Sequence, residues 1–274
     1  MRNIRALFLL LSAVAVSQPA AAQKETVRIG GTGSSTGIMQ VLGDAYSRNN
    51  PGIRLTVIPG MGTTGSLAAL AAGKLDIAFV PRPLKTEEST RGLAATEFAR
   101  TPFVIAVKRD HPVSAITLDE LARYYAAPNP TWPDGARVRV VMRPAEDSDS
   151  ERLRAISPAI AAAVDQAMQR PGMIIAATDQ DTADILQRTP GALSTLTLGL
   201  ILAERRPLKA LAIDGRKPSL AALESGSYPY AKTLYAFTAA GTGPAAKRFL
   251  AFAHSDAGTA ILRQHGFLAP RAGK

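Results

Sequence analysis

Cysteine is absent from the 274 residues. That excludes disulfides, thiolate metal sites, a cysteine nucleophile and a lipidated cysteine at an export cleavage point. Histidine is scarce: His111, His254 and His265 are the full set, and none stands in a His-Glu-x-x-His or similar ligand spacing. Aromatic residues make up only 5%, too few for base-stacking platforms, so nucleic acid is not an expected partner. There is no Gly-x-Ser-x-Gly elbow, and the glycine-rich turns lack the Gly-Lys pair of a Walker A loop. These absences argue against an enzyme and imply no cofactor and no metal.

Long apolar runs are missing as well. The stretch 6–16 is too short to span a membrane. Arg2 and Arg5 precede it, and Gln18-Pro19-Ala20-Ala21-Ala22 follows. A charged start, a short apolar stretch and a small-residue cleavage site read as a secretory signal peptide over 1–22. Without a lipid anchor, the exported chain is expected in a periplasm. Cutting after residue 22 removes Arg2 and Arg5 and lowers the formal charge from +10 to +8. Lys and Arg are scattered, with no run longer than pairs such as Arg205-Arg206. The positive balance favours anions in general and singles out no partner.

What is present is glycine beside hydroxyls. Gly31-Thr32-Gly33-Ser34-Ser35-Thr36-Gly37 and Gly60-Met61-Gly62-Thr63-Thr64-Gly65-Ser66 follow β-like runs at 27–29 and 53–58. Each opens an apolar segment of helical period, expected at 38–48 and 67–72. A helix N-terminus offers unpaired backbone N–H groups and the positive end of the dipole. Glycine lets that backbone approach a ligand, so two such turns point to a pocket for a small anion. The alternative is that Ser35 and Thr64 simply cap their helices. A further strand at 75–80 completes an alternation that argues for an α/β fold with a mostly parallel sheet. Ligands in such sheets bind beyond the carboxyl ends of the strands, where both turns lie.

Downstream, strands are expected at 103–107, 137–142, 208–213 and 235–238. Helices are expected at 118–126, behind a Thr117/Glu120 capping box, and at 182–187, 244–253 and 257–264. The chain also carries, in order, Gly73-Lys74-Leu75-Asp76-Ile77-Ala78 leading to Arg82-Pro83-Leu84, then His111-Pro112-Val113 and Ile116-Thr117-Leu118-Asp119-Glu120-Leu121. Arg143-Pro144, Thr189-Pro190-Gly191-Ala192-Leu193, Lys209-Ala210-Leu211-Ala212-Ile213-Asp214-Gly215 and Ser225-Gly226-Ser227-Tyr228-Pro229 come next, and Phe249-Leu250-Ala251-Phe252 closes the set. No single piece is specific, but their order and spacing resemble the phosphate-binding proteins that feed bacterial phosphate ABC importers.

The resemblance implies an α/β, two-lobed class II periplasmic binding fold with the ligand cleft between the lobes. Lobe 1 would hold 26–107 and 234–274, and lobe 2 would hold 108–233. It also implies a monomer, not an enzyme, that captures inorganic phosphate or a similar oxyanion for the membrane permease of an ABC importer. A binding or sensor protein for another small oxyanion or a phosphonate is the alternative.

Carried over residue by residue, the hydroxyl donors of the family's first turn fall on Ser35 and Thr36, and those of its second on Thr63 and Thr64. Its lobe-2 arginine falls on Arg143, which can fork two N–H donors onto an oxyanion. The family's Ser-Gly-Thr helix start corresponds to Glu146-Asp147-Ser148-Asp149-Ser150-Glu151, where Ser148 and Ser150 remain and the glycine does not. Asp147 and Asp149 either favour the helix N-terminus or supply a carboxylate for the proton of monohydrogen phosphate, which ionised sulfate lacks. Asp149 is the candidate ligand residue of the two. Pro81 replaces an aspartate that some members place after the third strand, and Arg82 beside it is either a cleft cation or a loop arginine. Asp179-Gln180-Asp181-Thr182 is a second acidic turn, which either caps a helix or forms a cation site with 146–149.

Overall fold

The computed structural model describes residues 25–270; the expected signal peptide lies outside them. The first lobe opens with β1 (Glu25–Gly31), α1 (Gly33–Asn49), β2 (Ile53–Val57), α2 (Gly62–Ala71) and β3 (Ile77–Val80). The apolar stripe of α1 explains its packing: Ile38, Met39, Leu42, Ala45 and Tyr46 are all buried. Gly73, with φ +66°, follows the end of α2 and turns the chain back toward β3. β1 lies between β2 and β3, parallel to both, so both glycine turns sit at the carboxyl edge of this sheet.

After α3 (Thr86–Ser89) comes β4 (Leu93–Lys108), whose 16 residues join the two lobes. The second lobe follows with β5 (Ala115–Ile116), α4 (Leu118–Ala126), β6 (Arg139–Met142), α5 (Ser148–Arg154), α6 (Pro158–Met168), β7 (Ile174–Ile175), α7 (Asp179–Arg188) and β8 (Ala192–Thr197). Then come α8 (Leu198–Ala203), β9 (Leu208–Ala210), β10 (Ala212–Ile213), α9 (Leu220–Ser225), β11 (Ala231–Ala239), α10 (Pro244–Ala253) and α11 (Asp256–Gln264). α4 starts where the capping box is expected: the Glu120 N–H donates to Thr117 Oγ1 at 3.1 Å, and the Thr117 N–H donates to Glu120 Oε2 at 2.8 Å.

The main sheet runs β2-β1-β3-β11-β4-β8-β6-β7, with β9 also paired to β4. β4 changes partner along its length: Leu93 to Pro102 pair with β11, and Phe103 to Val107 pair with β8, both antiparallel. Each lobe keeps its own core. Ile29, Ile38, Leu42, Phe79, Phe98 and Phe249 pack in the first, and Phe103, Tyr125, Trp132, Ile160 and Tyr228 in the second. Burying each such side chain contributes roughly 1.5–3 kcal/mol.

The architecture departs from the pattern reading in several places, among them the unexpected strand β8 and helices α8 and α9. β4 starts ten residues before the expected strand at 103, because 93–102 is mixed in exposure and gains its extended form from pairing with β11. The expected strand at 208–213 splits at Leu211, whose N–H donates to Ile105 O at 2.9 Å, into one piece on β4 and one on β5. α5 and α6 are additional helices whose starts carry side-chain caps, Asp147 and Ser157.

Candidate functional site

Most helices of the second lobe are closed at their N-termini by a side chain: Thr117, Asp147, Ser157, Thr178, Thr197 and Ser219 each accept a backbone N–H. α1 and α2 are not. Their N-cap residues, Thr32 and Met61, make no side-chain cap bond. Ser35, expected as a cap, is instead the third residue of α1, and its hydroxyl donates to Thr32 O at 2.7 Å. First-turn N–H groups left open in this way are available to an anion, with the dipole favouring negative charge.

Both open ends face one cavity of ≈ 230 Å³ between the lobes. Thr32, Gly33 and the turn from Gly60 to Thr63 border it on one side, and Arg143, Asp147, Ser148 and Asp179 on the other. Gly33 is a glycine for a visible reason: a Cβ there would lie 2.4 Å from Asp179 Oδ2 and 2.7 Å from Gln180 Oε1. Gln180 Nε2 also donates to Gly33 O at 2.9 Å, so the start of α7 closes directly over the start of α1.

Arg143 follows β6 and is 5% exposed. Its Nη1 donates to Ala176 O at 2.9 Å and its Nη2 to Asp147 Oδ2 at 2.8 Å. Burial works against its charge, but Asp179 and Asp147 outweigh that and raise its pKa. It is a fixed cation at the cavity wall.

Behind the wall lies a cluster that sequence reasoning did not find. Lys232, on β11, is fully buried and donates through Nζ to Asp149 Oδ1. The same Nζ lies 3.9 Å from Asp179 Oδ1. Burial opposes the ammonium, yet Asp149 and then Asp179 raise its pKa. Asp149 is pushed up to about 6, first by burial, with Lys232 pulling the other way and Asp179 and Asp147 adding repulsion. Asp149 Oδ2 and Asp179 Oδ1 are buried without hydrogen-bond partners among the described residues. The acidic turns considered as a cation site thus hold a cation from within the chain, the ammonium of Lys232.

The sequence model of the PBP superfamily domain matches residues 16–257. The chain belongs to the PBP superfamily. Among curated relatives of this PBP superfamily chain, protein SphX of Synechococcus elongatus is 31% identical over 130 residues, 44% of this chain and 38% of SphX. Phosphate-binding protein PstS 2 of Streptococcus pneumoniae serotype 4 is 26% identical over 102 residues, 37% of this chain and 34% of that protein. The chain therefore matches about a third of the length of these relatives. Among solved structures, a protein described as a phosphate ABC transporter substrate-binding protein with bound phosphate, from Clostridium perfringens, superposes with TM-score 0.75 and 18% identity, covering 90% of this chain and 100% of that one. An ABC-type phosphate transport receptor from Vibrio cholerae gives TM-score 0.61 at 19% identity, covering 89% and 100%. The two-lobed α/β fold is shared with both.

The sequence-derived candidates distribute unevenly around the cleft of this PBP superfamily chain. Thr63, Arg143 and Ser148 border the inner cavity. Thr64 and Arg82 border an adjoining outer chamber, where Arg82 is engaged by Glu88 through bonds of 2.9 and 2.5 Å. Ser35, Thr36, Asp149 and Ser150 are buried and absent from the cavity wall. Ser150 Oγ donates to Arg143 O at 3.1 Å, and Asp149 is committed to Lys232. In the first turn, Ser34 Oγ is buried without a hydrogen-bond partner among the described residues. Gly60, Gly62 and Gly65 have the spacing of a dinucleotide-binding turn, between β2 and α2, but β3 runs into Pro81-Arg82 with no acid for a ribose. Among the described residues, no helix is long and apolar enough to cross a membrane.

Proposed function

We propose that this chain is a periplasmic solute-binding protein that captures inorganic phosphate and presents it to the permease of an ABC importer. One observation carries the reading. Two uncapped helix N-termini from the first lobe and a buried arginine from the second open on the same small cavity. Such a site grips an anion only when both lobes touch it, so binding favours the closed form. The family match and the phosphate-binding names of the relatives agree with it. The partner change along β4 and its pairing with β11 support crossovers near 102–103 and 230–231, earlier than the lobe boundaries at 107–108 and 233–234 expected from sequence.

Asp179 shapes the selectivity we assign. It borders the cavity, with Oδ1 buried 3.9 Å from Lys232 Nζ and Oδ2 turned toward Gly33. A carboxylate there repels a fully ionised dianion and accepts a hydrogen bond from a protonated one. This role, expected of Asp149, passes to Asp179 because Asp149 is sealed behind Lys232. Calorimetric titration of the exported chain, stripped of ligand by unfolding and refolding, tests the reading. Saturable one-to-one binding of phosphate with little heat from sulfate is the expected result. No binding of phosphate, or equal binding of both, overturns it.

A further inference from the structure

The cavity beside Arg143 does not end at its own walls. Thr63 and Ser148 border it and also border a second chamber of ≈ 580 Å³ between the lobes. The inner chamber alone is below the ~300–1,000 Å³ usual for small-molecule sites, whereas the two together fall within that range. Phosphate seated at Arg143 leaves the outer chamber to another part of a ligand.

The lining of that chamber indicates which part. Arg82, Lys85 and Arg152 supply cations. Arg82 is spent on Glu88. Arg152 is held by neutral groups: Nη1 donates to Ala231 O at 2.7 Å and Nη2 reaches Pro81 O at 3.4 Å, bridging the lobes. Its Nε is buried without a hydrogen-bond partner among the described residues. Burial lowers its pKa; Asp149 and Glu151 oppose this only through space. A half-buried guanidinium with no carboxylate against it is costly, and an incoming carboxylate offsets that cost. Glu146 and Glu151 border the same chamber but are exposed, where water screens them.

We infer that the cleft also admits small phosphate monoesters bearing a carboxylate, with the phosphoryl group beside Arg143 and the carboxylate against Arg152, assisted by Lys85. This rests on the phosphate-capture reading above. The test compares three probes on the stripped, exported chain: inorganic phosphate, methyl phosphate and phosphoglycolate. The two esters share a head group and differ in the carboxylate. Phosphoglycolate is expected to bind at least tenfold more tightly than methyl phosphate, and Arg152→Met to remove most of that preference, with Arg152→Lys retaining part of it. If phosphate binds but phosphoglycolate gains nothing over methyl phosphate, the outer chamber is not a ligand subsite and phosphate capture stands. A preference that survives Arg152→Met overturns the role of Arg152. If none of the three binds, the phosphate reading and this inference both fail.

Discussion

Replacing Lys232 with methionine separates a structural ion cluster from a merely crowded one. Methionine fills a similar shape, so the change removes the ammonium and little packing. Asp149 is then left fully buried with neither oxygen paired to a cation, and Asp179 Oδ1 loses its neighbour at 3.9 Å. Breaking a buried pair by removing one partner costs roughly 3–5 kcal/mol. At roughly 2–4 °C per kcal/mol for a chain of this size, Tm should fall by about 6–20 °C. The pH dependence gives a second handle. The folded pKa of Asp149 is raised from 3.8 to about 6, so its contribution to stability is complete below about pH 4 and lost as pH rises through 6. Without Lys232 that folded pKa climbs further, so the deficit should be large at pH 8 and small at pH 5. Melting curves followed by circular dichroism at both pH values, in phosphate-free buffer, make the comparison. Adding Asp149→Leu should recover much of the loss, since an apolar replacement for both partners leaves no stranded charge. A Lys232→Met Tm equal to that of the native chain at pH 8, or a deficit identical at the two pH values, refutes the reasoning.

Three further outcomes follow from the cleft. Arg143→Ala removes charge-assisted donors of roughly 1.5–3 kcal/mol and should weaken phosphate binding by about ten- to a hundredfold in a calorimetric titration. Gly33→Ala places a methyl group 2.4 Å from Asp179 Oδ2 across the closed cleft. Phosphate affinity should drop at least tenfold, with a larger radius of gyration in small-angle scattering, while the ligand-free Tm holds because alanine favours the helix. Asp179→Asn removes a carboxylate from the cavity wall, so sulfate binding should strengthen and the ratio favouring phosphate shrink; an unchanged ratio would show that Asp179 does not discriminate.

The first half of the fold was legible because its signals are local. The apolar stripe of α1, Gly73 after α2 and the Thr117/Glu120 box all lie within one turn or one strand. β4 was legible only from 103 on, since its first ten residues owe their conformation to a partner more than a hundred residues away. The site divides the same way. Glycine turns announce open helix ends, and an arginine after a strand announces a cation, but the direction a hydroxyl turns is not written in its neighbours. Ser35 and Ser150 spend theirs on backbone carbonyls, and Ser34 does not. Lys232 did leave a trace. In β11, Lys232, Leu234 and Ala236 are buried at a spacing of two. A lysine on the inward face of a strand requires carboxylates from elsewhere in the fold, and the acidic turns at 146–151 and 179–182 supply them.

The charges around the cavity give the site its character. Arg143 and Lys232 face Asp147, Asp149 and Asp179, so the side chains sum to a negative balance when all are ionised. Attraction for an anion then comes chiefly from the open ends of α1 and α2, each worth roughly half a positive charge. Such donors are fixed in the backbone and enclosed between the lobes, where salt screens weakly. Raising chloride from about 10 mM to about 150 mM shortens the Debye length from about 30 Å to about 8 Å, enough to erase steering by a diffuse surface charge. If the helix ends hold the ligand, phosphate affinity should change less than about threefold over that range. A steep loss would instead mean that the scattered surface lysines and arginines draw the anion, and that the cleft contributes little.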